Sequence, residues 1–235
     1  MSTVPDLVGG ANVGSIVNAD VRVIAGELLA DRRAAISPEC AKIIEQVRAR
    51  CPGAFVDRVL KPSEVAPPVE LTADEGQNLF AAAFARAAAG GAVPTAGTVL
   101  WVDGTSELLV IVGKVRVVTR DGFAVVGIPV QCDQTGGVEM VVSFALGSKD
   151  LPTGLVMTTE RTPRGPAVIA ALWGDRLIAA AWAGLTELAT SVAKAAGTDA
   201  DGEHLLPAML SATDSGFVIV PQARHPFDRA VVRRL

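Results

Sequence analysis

The side chains of this 235-residue chain with types suited to chemistry are few: two histidines, three cysteines and carboxylates scattered beside glycine-containing turns. Cys132 is the candidate nucleophile. It ends the apolar run Phe123–Gln131 and precedes Asp133 and the breaker Gln134-Thr135-Gly136-Gly137, a position from which a thiolate would face solvent. Cysteine catalysis needs a nearby base, normally histidine, and only folding would bring His204 or His225 close. The plainer reading is an inward-facing strand residue that fills core space. Asp201, Glu203, His204 and His225 supply metal-ligand types but lack HxxxH or HxH spacing, so neither a metal nor a cofactor is expected. Gly9, Gly10 and Gly14 precede Ser15 and Ile16 with no lysine, which fails the phosphate-loop pattern. No GxSxG elbow or SxxK pair is present. Asp103 and Glu107 flank Gly104-Thr105 and read as solvated turn residues. Trp101, Trp173 and Trp182, with Cys132, are the candidates for lining a ligand cavity, although tryptophan is more often core. Lys114 and Arg116 alternate onto one face, and two buried cations without partners would be costly, so exposure is expected.

The elements that must position these residues centre on a strand meander. Ser106–Thr119 is rich in Val, Ile and Leu, which suits a pleated, half-buried surface. Asp121-Gly122 separates it from Phe123–Gln131 and supplies the positive φ of a tight hairpin. Val138–Leu146 follows, Gly147–Gly154 is a polar loop, and Leu155–Arg161 and Thr98–Val102 are further strand candidates. Short connections imply antiparallel neighbours. A long Ala-rich helix is expected over Ala167–Ala196. Its large apolar residues run nearly all round, so it should be buried on more than one side. Ala179 with Ala183, and Ala180 with Gly184, allow another backbone to approach, either at a sheet that the helix crosses or at its twin in a dimer.

Ahead of the meander, Asn18 or Asp20 begins a candidate helix to about Arg33. Ser37-Pro38-Glu39 is a stronger start signal, with Ile43, Ile44 and Val47 as the apolar stripe. Phe55–Leu60 reads as a short strand. Thr72 and Glu75 form a capping-box pair for a helix over Ala73–Ala89, which Gly90-Gly91 should end. The organisation expected is a helical N-terminal unit over 1–60, a Pro-rich linker over 61–71 and a main domain over 72–235. Phe217–Val220 is placed as a last edge strand, and the four arginines of Arg224–Leu235 as a solvated tail.

The bulk composition narrows function. Half the residues are hydrophobic and a fifth charged, which is globular rather than disordered. A net charge of −4, 4% aromatic content and no tyrosine argue against a nucleic-acid partner. Three cysteines without CxxC spacing point to a reducing cytoplasm. The first basic residue is Arg22, so no secretory signal is expected. Leu177–Ala193 approaches spanning length but carries Glu187 and follows Asp175-Arg176, which favours a buried soluble helix.

The fold class expected is α+β: an antiparallel sheet of five to six strands packed by the long helix, with N-terminal helices. A meander followed by a long helix is similar in arrangement to helix-grip ligand carriers and small secretion chaperones, a likeness of architecture that assigns no activity. The function expected is a non-catalytic binding, scaffold or chaperone-like protein acting through a protein partner or as a homo-oligomer. The alternative is a small-molecule-binding protein or enzyme with an apolar cavity between sheet and helix.

Overall fold

The computed structural model describes residues 35–56, 58–91, 94, 96–148, 158–159 and 162–223. The glycine-rich start, the helix expected to Arg33, most of Leu155–Arg161, His225 and the arginine tail lie outside the described residues. The architecture is α+β with two antiparallel sheets and a long helix packed against strands.

Helix α1 (Pro38–Arg50) begins where the sequence signal places it. The Ser37 hydroxyl accepts the Cys40 N–H at 3.3 Å, satisfying a donor that has no partner within the helix. Cys40, Ile44 and Val47 are its buried stripe. The strand expected over Phe55–Leu60 does not form; its described residues make one bridge, Leu60 to Asp199. Within the Pro-rich stretch, Val69 and Leu71 alternate inward and open β1 (Val69–Thr72). Helix α2 (Ala73–Ala88) then starts on a complete capping box: Glu75 N–H donates to Thr72 Oγ1, and Thr72 N–H to Glu75 Oε2. Arg50 donates to both Glu75 oxygens, at 2.9 and 2.7 Å, tying the end of α1 to the start of α2. Gly90 and Gly91 follow α2 with φ of 66° and 91°.

The larger sheet contains β2 (Val99–Asp103), β3 (Ser106–Val110), β4 (Arg116–Arg120), β5 (Phe123–Cys132), β6 (Gly136–Ala145) and β7 (Thr158–Thr159). Asp121-Gly122 joins β4 to β5, with Arg120 opposite Phe123 and positive φ at Gly122 alone of the two. The run Ser106–Thr119, legible as one strand, is two. A 3-10 turn at Val112–Lys114 separates β3 from β4, and both pair with β5. The turn is tied to a segment far back in the chain: Gly113 N–H donates to Gly97 O at 2.9 Å.

Helix α3 (Ala167–Ala196) has the predicted bounds. It is long and apolar enough to cross a membrane, and 56% of its most apolar window is buried in the fold. Beyond it, β8 (Leu206–Thr213) and β9 (Gly216–Gln222) pair, and β9 also pairs with β1. Phe217–Val220 is therefore the middle of a three-stranded sheet, not an edge. The sequence conceals β8 because two of its residues are Pro207 and the irregular Ala208, where the pairing register shifts.

The two sheets are stitched at one corner. Gly122 N–H donates to Ala212 O, Ala212 N–H to Gly147 O, and Leu146 N–H to Gly122 O, at 2.8–3.0 Å. At the free edge of β4 the Gln77 side chain of α2 stands in for a strand, accepting from Val117 N–H at 2.7 Å and donating to Val115 O at 2.9 Å. Helix α3 packs along α2 and onto β8 and β9, with further contact to α1 and β6. The backbone that its small residues admit is that of α2. A methyl group on Gly184 would stand 3.2 Å from Phe84 N and Cα.

Two substitutions probe this arrangement. Gly122→Val forces a β-branched residue to a φ of 77° and is expected to cost about 1–3 kcal/mol, read as a lower melting temperature; an unchanged melt would mean that the hairpin is not built on Gly122. Gly184→Leu meets backbone that cannot yield and should cost about 1–3 kcal/mol, with calorimetry showing a fall of about 2–4 °C per kcal/mol.

Candidate functional site

Of the four residues expected to line a cavity, the structure brings two together. Trp101, 1% exposed, points from the inner face of β2, and its indole N–H donates to Ala88 O at 2.8 Å. The Trp173 ring of α3 is centred 6.2 Å away at an interplanar angle of 36°. The Arg176 guanidinium covers the pair, 4.4 Å from the Trp101 ring centre and 6.0 Å from that of Trp173, an arrangement favoured by the negative ring face. This is a packed aromatic pair whose Trp101 polar atom closes the last turn of α2. Trp182 lies half a turn round α3 from Trp173, and its indole N–H has no hydrogen-bond partner among the described residues.

Cys132 shares its alternation with the inward-facing Val130 and Ile128 and packs against the core while half-buried. Its Sγ lies 3.3 Å from Thr135 Oγ1, and that hydrogen bond holds the thiol below the ordinary cysteine range. Cys40 is the opposite case: burial pushes its thiol up. His204 contacts the last turn of α3, with Nδ1 3.1 Å from Lys194 O; because a carbonyl only accepts, Nδ1 carries the proton. No group of three or more His, Cys, Asp or Glu side chains suited to a metal occurs among the described residues.

Lys114 and Arg116 are exposed, as expected. Arg116 lies on the outer face of the large sheet, paired to Glu139 at 2.5 Å. Gly127 between them makes room, since a methyl group there would stand 3.0 Å from the Glu139 carboxyl. Beside this ion pair the outer face is mixed, with exposed Arg120, Gln131 and Glu107 among apolar side chains. Leu100 and Val102 on β2, Val118 on β4 and Phe123 on β5 all point outward and are 52–54% exposed. Leu109, Val125, Pro129 and Val141 continue the surface, half-buried. The signal for this face was in the alternation: Leu100 and Val102 have the opposite parity to Trp101, and Val118 to Val117.

A second feature is an open cleft of about 460 Å³ between α1, the residues Val56, Arg58 and Val59, and the end of α3. Arg48, Arg58, Lys194 and His204 line it, together with Glu45. These residues are far apart in sequence, and no spacing announces them. Comparison with protein-family models, curated proteins and solved structures finds no match to this chain.

The contrast between the cysteines is directly measurable. On treatment of the folded protein with iodoacetamide, peptide mapping is expected to show Cys132 alkylated well before Cys40, which is fully buried. Cys40 reacting as fast as Cys132 would contradict the packing of α1 described above.

Proposed function

We propose that this chain is a non-catalytic binding protein that acts through a protein partner or by self-association, and that the outer face of the large sheet is its contact surface. The observation that carries the reading is the set of four large apolar side chains, Leu100, Val102, Val118 and Phe123, each half exposed on one sheet face. They fall in two pairs, Leu100 with Val102 toward one end of the sheet and Val118 with Phe123 toward the other, and apolar groups left exposed on one sheet face are characteristic of interaction surfaces. The Arg116–Glu139 pair in their midst supplies a polar contact that would fix register more than strength.

The chemistry-capable residues fit the same reading. The Trp101 indole N–H bonds to Ala88 O, Cys132 packs against the core, and the His204 ring is bonded to a helix end. A strand face of this kind joins a partner by burying apolar area, and about 800 Å² per partner is usual for a specific complex.

Sedimentation velocity over a range of concentrations, with and without Phe123→Glu, tests the proposal. Wild type is expected to form an assembly that Phe123→Glu or Leu100→Glu dissociates, with unchanged circular dichroism. The reading fails if wild type stays monomeric throughout and its cross-linking to co-purified proteins is untouched by both substitutions.

A further inference from the structure

We propose that the occupant of the outer sheet face is a second copy of this chain. The two large sheets stack face to face, one turned end for end relative to the other about a two-fold axis that runs across the strands. The inference rests on the reading of this face as a contact surface and adds the identity of the partner.

The face carries both halves of a contact. Toward one end of β5, Arg120 stands opposite Phe123 and Val118 opposite Val125. Toward the other end, Leu109 stands opposite Gln131 and also opposite Leu100. Two residues from Leu109 along β3, Glu107 stands opposite Val102. Residues opposite each other in a ladder, and residues two apart on a strand, point to the same side, so all of these share the outer face. One end therefore presents two exposed apolar side chains with an arginine, and the other end two with a carboxylate.

A half-turn about an axis across the strands keeps each strand position over its own counterpart and exchanges the ends. Strands β3 and β4 occupy the same position beside β5, one after the other. The half-turn accordingly brings Arg120 of one copy over Glu107 of the other, and Val118 over Leu109. Leu100 comes to the level of Val118, one strand position along. Such a contact is isologous, so each pairing is made twice and the assembly closes at a dimer. Sheets stacked in this way lie about 10 Å apart with strands within about 30° of each other.

Arg120 and Glu107 are both exposed, and the ion pairs among the described residues involve neither of them. Arg120 Nη1 has only a long hydrogen bond to Thr119 O, at 3.4 Å. Asp121 beside it belongs to the hairpin turn and has an interaction of its own. Arg116 is paired with Glu139, and Arg164 donates to Ser143. Exposed Asp133, in the turn after β5, adds a carboxylate at the Glu107 end. Rim charges of this kind select the partner and its direction, while the apolar pairs supply strength. Four strand positions about 4.8 Å apart, along strands about 33 Å long, give a face of roughly 600 Å² in plan. A corrugated side-chain surface exceeds its plan, which brings the face near the usual area of about 800 Å² per partner.

Charge exchange tests the proposal. Sedimentation velocity and native mass spectrometry of the full chain at low ionic strength compare Arg120→Glu, Glu107→Arg, the double variant and an equimolar mixture of the two single variants. Circular dichroism confirms that each is folded. Each single variant is expected to dimerise about tenfold more weakly than wild type, because like charges then face each other. The double variant should recover wild-type affinity. In the mixture the two single variants should combine one to one, since both contacts then set a carboxylate against a guanidinium. A dimer unaffected by either single substitution, or no recovery in the double variant and the mixture, overturns this arrangement, while the contact-surface reading still stands or falls by Phe123→Glu. A wild type that stays monomeric also overturns it, and the contact-surface reading is then decided by cross-linking to co-purified proteins.

Discussion

From Leu177 to Ala196 helix α3 has no exposed residue. A helix so enclosed cannot rest on one layer, because an α-helix laid on a single surface keeps an outer face in water. The rest of the fold supplies the missing cover. Helix α2 lies against it at Gly184, β8 and β9 take another side, and α1 closes a third. Small residues make the α2 contact possible, since the Phe84 backbone sits where a side chain at 184 would be. The C-terminal carbonyls need partners for the same reason, and side chains or backbone from three separate segments provide them. An enclosed helix end without such partners would carry the desolvation cost of unbonded polar groups.

The same accounting governs the sheets. Strand β4 presents an edge toward α2, and Gln77 answers it with one acceptor and one donor, as a neighbouring strand would. The corner where β8 meets the β4–β5 hairpin is closed by Ala212 bonding to Gly122 and Gly147. The inner faces of both sheets are thereby committed to the core around α2 and α3. The outer face of the large sheet is treated differently, keeping apolar side chains half exposed around the Arg116–Glu139 pair.

Much of the architecture was legible because its signals are local. Ser37-Pro38-Glu39, the Thr72–Glu75 box and Gly90-Gly91 act through hydrogen bonds and φ angles spanning a few residues, and all three appear in the structure. Gly122 between two β-branched runs is the same kind of signal. What escaped was non-local. Strand β1 hides in a proline-rich stretch, and the alternation of β8 is broken at the Pro207–Met209 irregularity. The division of Ser106–Thr119 depends on Gly97, which lies well before it in the chain. Among the candidate site residues, Trp101 and Trp173, 72 positions apart in the chain, meet only through folding.

By itself, then, the sequence determined the α+β class, the helix ends, the bounds of α3 and the hairpin at Gly122, since each follows from near-neighbour sterics, hydrogen bonding or periodicity. The tertiary structure decided which backbone the small residues of α3 receive, that Phe217–Val220 is central rather than an edge, and which distant side chains come to line one cleft. Arg48, Arg58, Lys194 and His204 share a cleft although nothing in their spacing relates them. Contacts of that kind are set by how enclosed surfaces find cover, and that depends on the whole chain at once.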